Sequence, residues 1–301
     1  DGAVDPGFRF YAASANMHWM MNLECFALQA DGKLVLSVSI HEPASIYPTN
    51  LVVRLNPDGS RDPSFEPLAI ENQSDDWLVR ALAVQADGKI VIGGAITGSD
   101  RPLDARLARL NADGTTDTTF QPAVDYSVQA IALQPDGRIL IAGYFTHVNG
   151  VRVSGVARLH ADGRLDTTFA AEIPEWNLNI ITALALQDDG RILLAGHLWY
   201  SGSYQSQPHL LARLRPDGRL DQDFQVEIES DVYYVNDVVQ AIALQADSHI
   251  VIGGRFTAVN GVPRNGLARV YSGGTTAPAI TLQPVDQTRF SGQTAVFRVQ
   301  A

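Results

Sequence analysis

The chain has 301 residues, of which 46% are apolar and 18% charged, and 22 basic against 33 acidic residues give a net charge of −11. This apolar content suffices for a complete core and excludes a wholly disordered chain, while the acidic balance argues against nucleic-acid or anionic-membrane partners. The single cysteine, Cys25, excludes an intramolecular disulfide and a thiolate metal cluster. No apolar run reaches the roughly 18 residues of a membrane span, so no membrane insertion is expected. Length alone predicts about two domains.

A first motif recurs five times, beginning with CFALQADGKLVL at Cys25. Its other copies are ALAVQADGKIVIGG, AIALQPDGRILIAG, ALALQDDGRILLAG and AIALQADSHIVIGG, from Ala81, Ala130, Ala183 and Ala241. Each copy predicts strand, turn and strand, because Asp-Gly supplies the positive φ angles of a two-residue hairpin turn. Apolar residues on both faces of the first strand predict burial between neighbouring sheets. Cys25 replaces a small alanine, which favours a buried side chain over a reactive thiol.

A second motif lies between these copies and joins an arginine strand to a DG turn and a DxxF segment. Its copies are LVVRLNPDGSRDPSF, RLARLNADGTTDTTF, GVARLHADGRLDTTF and LLARLRPDGRLDQDF, ending at Phe65, Phe120, Phe169 and Phe224. A fifth arginine strand, GLARV at Gly266, breaks off before its DxxF, whereas DGAVDPGF at residues 1–8 has a DxxF and no arginine strand. The two ends therefore predict one shared unit, as in a ring that closes on itself.

The repeats predict an all-β fold, a five-bladed β-propeller of four-stranded blades over residues 1–272, closed by the N-terminal strand pairing with the last repeat. Residues 273–278 have the composition of a linker. Residues 279–301 resemble the opening strands of a bacterial immunoglobulin-like domain, which needs roughly 100 residues. We therefore expect the propeller to be covalently continuous with further extracellular domains.

The paired ALQPDGRILIAG-like and LARLNADGTTDTTF-like segments resemble the delta-60 repeat family across residues 1–272. This resemblance implies a β-propeller of a bacterial secreted or cell-surface protein, whose signal peptide has been removed. VDPGF at residues 4–8 is similar to the DxxF segment that opens mature chains of that family. The resemblance implies no enzymatic activity.

Two polar residues recur once per repeat. The arginines are Arg54, Arg109, Arg158, Arg213 and Arg269, and the DxxF aspartates are Asp5, Asp62, Asp117, Asp166 and Asp221. We expect them to form structural ion pairs or turn caps, since a feature of every repeat suits a scaffold and an active site breaks symmetry. A Ca²⁺ loop is less favoured, because the recognised loop has more oxygen ligands and a closing Glu. No cofactor is therefore expected.

Aromatic residues in the connecting loops are the candidate ligand contacts. They are Trp19, Trp77, Tyr126, Trp176 and Tyr233, with the densest cluster, Trp199, Tyr200 and Tyr204, in the loop from His197 to His209. Aromatic rings stack on sugar C–H groups, and the carboxylates in the same loops accept from hydroxyls. One loop face is thus predicted to bind a glycan or a protein, although packing of the loops over the blades is the alternative. FTHVNGVR and FTAVNGVPR are interpreted as structural turn variants.

No metal-ligand spacing, nucleophile elbow or phosphate loop occurs in the sequence. The leading hypothesis is a non-catalytic binding or display module of a secreted or surface protein. One alternative is a structural spacer without a ligand. The other is a glycan-active hydrolase, which would need two carboxylates roughly 5–9 Å apart at the axial mouth.

Overall fold

The computed structural model of the chain describes residues 5–8, 20–41, 49–70, 78–97, 104–173, 178–199, 209–230 and 238–273. Every regular element within these ranges is a β-strand, which confirms the predicted all-β class. No helix in these ranges is both long and apolar enough to span a membrane. Residues 274–278 of the predicted linker and residues 279–301 of the predicted immunoglobulin-like segment lie outside the described ranges.

The strands follow the five sequence repeats, and each repeat forms an antiparallel sheet around its first-motif hairpin. Repeat 1 contains β1 (Met20–Leu28), β2 (Leu34–His41), β3 (Thr49–Leu55) and β4 (Leu68–Ile70), and repeat 2 contains β5 (Val79–Val84), β6 (Ile90–Thr97) and β7 (Asp104–Leu110). Repeat 3 contains β8 (Val128–Leu133), β9 (Ile139–Gly143), β10 (His147–Val148), β11 (Val151–Arg152) and β12 (Val156–Leu159). Repeat 4 contains β13 (Leu178–Leu186), β14 (Ile192–Trp199), β15 (His209–Leu214) and β16 (Ile228–Glu229). Repeat 5 contains β17 (Val239–Leu244), β18 (Ile250–Gly254), β19 (Ala258–Val259), β20 (Val262–Pro263) and β21 (Leu267–Val270).

The first-motif turn is one residue longer than the two-residue turn predicted from Asp-Gly. In repeat 2, Gln85 N donates to Lys89 O at 2.8 Å and Gly88 N donates to Gln85 O at 2.9 Å, which leaves three residues in the loop. Gly88 has a φ of 82°, as expected for the last residue of such a loop. Only the glycine therefore needs the left-handed region, and Ser248 takes that position in repeat 5 with a φ of 65°.

The glycine that ends the second strand of the hairpin allows two backbones to approach closely. A Cβ on Gly143 would lie 2.3 Å from Ser127 O, and one on Gly254 would lie 2.0 Å from Val238 O. Both distances are too short for a real side chain, so only glycine fits at these positions. The last residue of the GG or AG ending therefore allows the second strand of the hairpin to pack directly against the backbone just before the first strand.

Four hydrophobic clusters are each shared by two consecutive repeats, so the sheets pack face to face in chain order. Between repeats 1 and 2, for example, Val52 and Leu68 meet Val79 and Ile90. The outer faces of the two terminal repeats differ, because apolar side chains are exposed there. These are Leu23, Phe26 and Leu28 in repeat 1, and Leu267 and Tyr271 in repeat 5. Among the described strands, no sheet contains residues of both the first and the last repeat.

A fourth strand joins its own sheet in repeat 1 alone among the described sheets, although four strands were predicted for every blade. There β4 pairs with β3, with Asn50 opposite Ile70 and Val52 opposite Leu68. In repeat 2 the equivalent segment turns away and its Val124 bridges to Val148 of repeat 3. In repeat 4 the equivalent β16 pairs with β19 of repeat 5. The hairpins FTHVNGVR and FTAVNGVPR thus capture a strand from the preceding repeat.

Candidate functional site

The aromatic residues predicted to contact a ligand fall largely outside the described residues. Trp19, Trp77, Trp176, Tyr200, Tyr204 and Tyr233 lie there, and Trp199 is described only by its backbone at the end of β14. Tyr126 is the candidate whose side chain the structure describes, and 60% of its surface is exposed.

The recurring arginines and DxxF aspartates form one buried ion pair in each of repeats 1 to 4. Arginine Nε donates to aspartate Oδ2 at 2.8 Å in the pairs Arg54–Asp62, Arg109–Asp117, Arg158–Asp166 and Arg213–Asp221. Each guanidinium also lies 4.5–4.9 Å from the ring centre of the DxxF phenylalanine. All eight charged side chains are buried, and mutual pairing makes that burial tolerable.

Each aspartate is held by further donors, as repeat 2 illustrates. Lys89 Nζ lies 2.8 Å from Asp117 Oδ2, while Thr119 donates its N–H and its hydroxyl to Oδ1. Burial raises the pKa of Asp117, but the hydrogen bonds from Lys89, Thr119 and Arg109 outweigh it and hold that pKa well below its ordinary value. The carboxylate is therefore ionised and committed to the scaffold.

Each of these arginines also reaches the following repeat. Nη1 of Arg54 donates to Ala112 O at 2.6 Å, and Nη1 of Arg109 donates to Ala161 O at 2.6 Å. Arg158 and Arg213 donate in the same way to Pro216 O and Ser272 O. The ion pair thus links one sheet to the next as well as stabilising its own repeat.

The fifth arginine and the fifth aspartate are not brought together. Arg269 is exposed and forms no ion pair with a described side chain. Asp5 is also exposed, and its Oδ1 accepts a hydrogen bond from Gly7 N at 2.8 Å. Phe8, which corresponds to the phenylalanines beneath the other arginines, is 39% exposed.

The first aspartate of the second-motif DG turn caps that turn. Asp58, Asp113 and Asp162 each accept the backbone N–H two residues later, at 2.9–3.0 Å. The hydroxyls of Ser60 and Thr115, followed by these backbone N–H groups, lower the pKa of Asp58 and Asp113, and the backbone N–H of Arg164 contributes most to the lowered pKa of Asp162. Within the described ranges, no three or more His, Cys, Asp or Glu side chains gather closely enough to hold a metal ion.

A cleft of about 630 Å³ lies between repeats 2 and 3. One wall is β7, from Ala105 to Ala108, and the opposite wall is the segment 121–125. His147 and Gly150 of the β10–β11 hairpin complete the rim. Its size is that of an ordinary small-ligand or peptide pocket.

Two polar groups mark this cleft. Asp125 Oδ1 accepts the N–H groups of Thr146 and His147 at 2.8 and 3.0 Å, while Oδ2 lies 2.6 Å from Thr146 Oγ1 and 3.1 Å from His147 Nδ1. Partial burial raises the pKa of Asp125, but these hydrogen bonds have the larger combined effect and lower the pKa from 3.8 to about 2. On the opposite wall, Arg106 is half-buried and pairs with no described carboxylate.

The hairpin sequence explains why the cleft forms. Asn149 adopts a φ of 51° and exchanges two hydrogen bonds with Ala123: its N–H donates to Ala123 O at 2.7 Å, and its Oδ1 accepts Ala123 N at 2.8 Å. This clamp draws segment 121–125 towards repeat 3 and away from β7. The space between the two is the cleft.

Repeat 5 has the same clamp without the same polar pair. Asn260 exchanges equivalent hydrogen bonds with Glu227, but Ala258 stands where repeat 3 has His147. The Asp125–His147 pair therefore breaks the repeat symmetry. Sequence reasoning interpreted both hairpins as structural, and the signal that it missed was the His-to-Ala difference between FTHVNGVR and FTAVNGVPR.

Comparison with known proteins matches the repeats to one family, described as a domain of unknown function (DUF5122) beta-propeller. The matched residues are 29–65, 85–120, 134–169, 187–224 and 245–276, more than half of the chain. This match confirms the resemblance to a propeller-forming repeat family. No curated protein matches the chain.

Solved structures show distant similarity. A protein of unknown function from Bacteroides caccae is 12% identical with a TM-score of 0.43, over 70% of this chain and 68% of that one. Streptogramin B lyase is 13% identical with a TM-score of 0.40, over 84% and 87%. A mannose phosphorylase from Leishmania mexicana, in complex with phosphate, is 15% identical with a TM-score of 0.39, over 88% and 89%. At these scores, no functional argument follows.

Proposed function

The chain belongs to the DUF5122 β-propeller family, and from this premise we propose that it is a non-catalytic binding module of a secreted or cell-surface bacterial protein. Its ligand is a glycan or a protein. The observation that carries the proposal is the cleft between β7 and segment 121–125, where the repeat symmetry breaks and polar groups converge on an apolar wall. Variable sites on a rigid repeat scaffold are where function usually lies.

The carboxylates of the described ranges support binding over catalysis. A glycosidase acid needs a raised pKa, whereas each described carboxyl whose pKa departs from its ordinary value is shifted down. Hydrolysis of a glycan by the purified chain would establish the hydrolase alternative instead.

We further propose that the module is a closed ring of five blades, with segment 1–8 completing the fifth. Arg269 occupies the register position of the four paired arginines, since it lies opposite Val251 as Arg109 lies opposite Val91. Among the described residues Arg269 has no aspartate partner, and Asp5 is the DxxF aspartate that has no arginine partner. His249 takes the position that Lys89 occupies in repeat 2.

The exposed apolar side chains at the two ends support closure. Leu267 is 64% exposed, whereas the equivalent Leu107 is buried against repeat 3. Phe26 and Leu28 of repeat 1 are exposed on the other side. Apposition of repeats 1 and 5 would bury both sets, as the contacts between successive repeats already do. For residues 279–301, which lie outside the described ranges, we keep the proposal that they belong to an immunoglobulin-like domain.

A ligand screen with matched variants tests the binding proposal. The purified chain is applied to a glycan array and a peptide-display library, and hits are re-measured with His147→Ala and with His160→Ala, a histidine of the same repeat outside the cleft. Loss of binding in His147→Ala with retention in His160→Ala is the expected result. A ligand indifferent to His147→Ala would place binding elsewhere, and a screen without hits would favour the spacer alternative.

A further inference from the structure

The wall of the cleft formed by β7 is a sheet edge that no other described strand pairs with. Within the described strands, the sheet of repeat 2 ends at β7, whereas in repeat 1 the corresponding edge of β3 is covered by β4. Aligning RLARL of β7 with LVVRL of β3 places Ala105, Arg106 and Leu107 at the positions that β4 covers. These three residues line the cleft. The cleft therefore lies where repeat 1 has its fourth strand.

The chain's own segment is held away from this edge. Segment 121–125 is bonded to the β10 hairpin through Ala123 and Asn149, and Val124 bridges to Val148. Val148 is buried and already fills part of the core beneath the missing strand. Returning the segment to β7 would break these hydrogen bonds, so the edge is left for a strand from elsewhere.

β4 shows what such a strand needs. Leu68 and Ile70 are buried, while Ala69 is exposed and lies opposite Leu51. In repeat 2 the residue opposite would be Arg106, which has no ion pair among the described residues, in contrast to the neighbouring buried Arg109. Directly opposed residues share a face of the sheet, so an acidic side chain at the central position would meet this guanidinium.

We infer that the cleft binds an extended peptide segment of a partner protein, of the pattern apolar–acidic–apolar, which adds to β7 as its fourth strand. This inference rests on the proposed binding function and names its ligand class. Backbone hydrogen bonds to the β7 edge give the affinity, and Arg106 selects the central acidic residue.

Synthetic peptides that copy the chain's own fourth strand test the inference. The probes are EPLEIEN, EPLAIEN and EPLKIEN, which follow residues 66–72 and carry Glu, Ala or Lys at the central position. Their binding to the full chain is measured by fluorescence anisotropy. We expect EPLEIEN to bind roughly twofold to fivefold more tightly than EPLAIEN, as for a partly exposed ion pair, and EPLKIEN to bind most weakly.

A charge reversal at Arg106 identifies the site of binding. Arg106→Glu should invert the order, so that EPLKIEN binds more tightly than EPLEIEN, while Arg152→Glu on the neighbouring hairpin should leave the order unchanged. An order unaffected by Arg106→Glu would overturn the inference, because the peptides would then bind another edge. If no peptide binds but a glycan does so in a manner that depends on His147, the peptide class is wrong and the binding function stands. If neither ligand binds, both fail.

Discussion

Replacement of Asp5 by Asn measures whether the two ends of the chain form one blade. In repeats 1 to 4 the equivalent aspartate is buried against an arginine at 2.8 Å, and in repeats 1 and 2 the carboxylate also receives a lysine. Removing one partner of a buried ion pair costs about 3–5 kcal/mol, because the other charge is left uncompensated. If segment 1–8 completes repeat 5, Asp5→Asn should cost nearly as much as Asp117→Asn does in repeat 2.

The unfolding free energy of the parent chain and of three variants is measured by chemical denaturation, and their melting temperatures are measured by thermal denaturation. Asp117→Asn sets the scale at about 3 kcal/mol, which corresponds to a fall in melting temperature of roughly 6–12 °C. Asp113→Asn, in the exposed turn of the same motif, is the matched control and should change little. Asp5→Asn should fall with Asp117→Asn. If it behaves like Asp113→Asn instead, Asp5 has no buried partner and the proposed closure is wrong.

Three further predictions follow from the described contacts. Burial raises the pKa of Asp166, but its hydrogen bonds outweigh this effect and lower the pKa from 3.8 to about 2. The contribution of this carboxylate to stability is therefore complete above the unfolded-state pKa and is lost as the pH falls through about 2. The unfolding free energy should drop between roughly pH 5 and 2, and the drop should be less steep in Asp166→Asn. Gly254→Ala should destabilise the chain by about 1–3 kcal/mol or more, because the Cβ of the new alanine would lie 2.0 Å from Val238 O. Gly253→Ala should be tolerated, because alanine occupies the equivalent position in repeats 3 and 4. Equal melting temperatures for the two variants would contradict the steric argument. Cys25 is partly buried, and desolvation, with a smaller contribution from Glu24, raises the pKa of its thiol to about 12. The native chain should therefore react with a disulfide reagent at pH 8 far more slowly than the unfolded chain, and equal rates would contradict the raised pKa.

The sequence predicted the features that recur in every repeat, namely the first-motif hairpin and the pairing of an arginine with the DxxF aspartate. Asp-Gly before an apolar run favours a hairpin turn, and the pattern of Arg109 and Asp117, eight residues apart, recurs with one geometry in four repeats. The missing fourth strands were not predictable in this way. Whether segment 121–125 pairs with its own sheet depends on Asn149 in the next repeat, and that competition is not visible in the segment itself.

The candidate site was missed for a related reason. Sequence reasoning looked for function in the aromatic loops and their carboxylates, which include Tyr126 and the cleft residue Asp125, but it did not connect them with His147 or Arg106. Arg106 lies in a strand that recurs in every repeat, and it becomes a candidate contact only because no other described strand pairs with the edge of β7. Asp125 and His147 are 22 residues apart in the chain, and the contacts between segment 121–125 and the β10–β11 hairpin, including the clamp between Ala123 and Asn149 and the bridge between Val124 and Val148, bring them together.

The hydrogen bond from each arginine to the following repeat has an evolutionary consequence. Its acceptor is a backbone carbonyl, supplied by Ala112, Ala161, Pro216 and Ser272 in turn. Since any residue type presents that carbonyl, a substitution at the acceptor position leaves this hydrogen bond intact. This joint therefore tolerates sequence divergence at the acceptor position, whereas the cleft between repeats 2 and 3 depends on Asn149 of the following repeat.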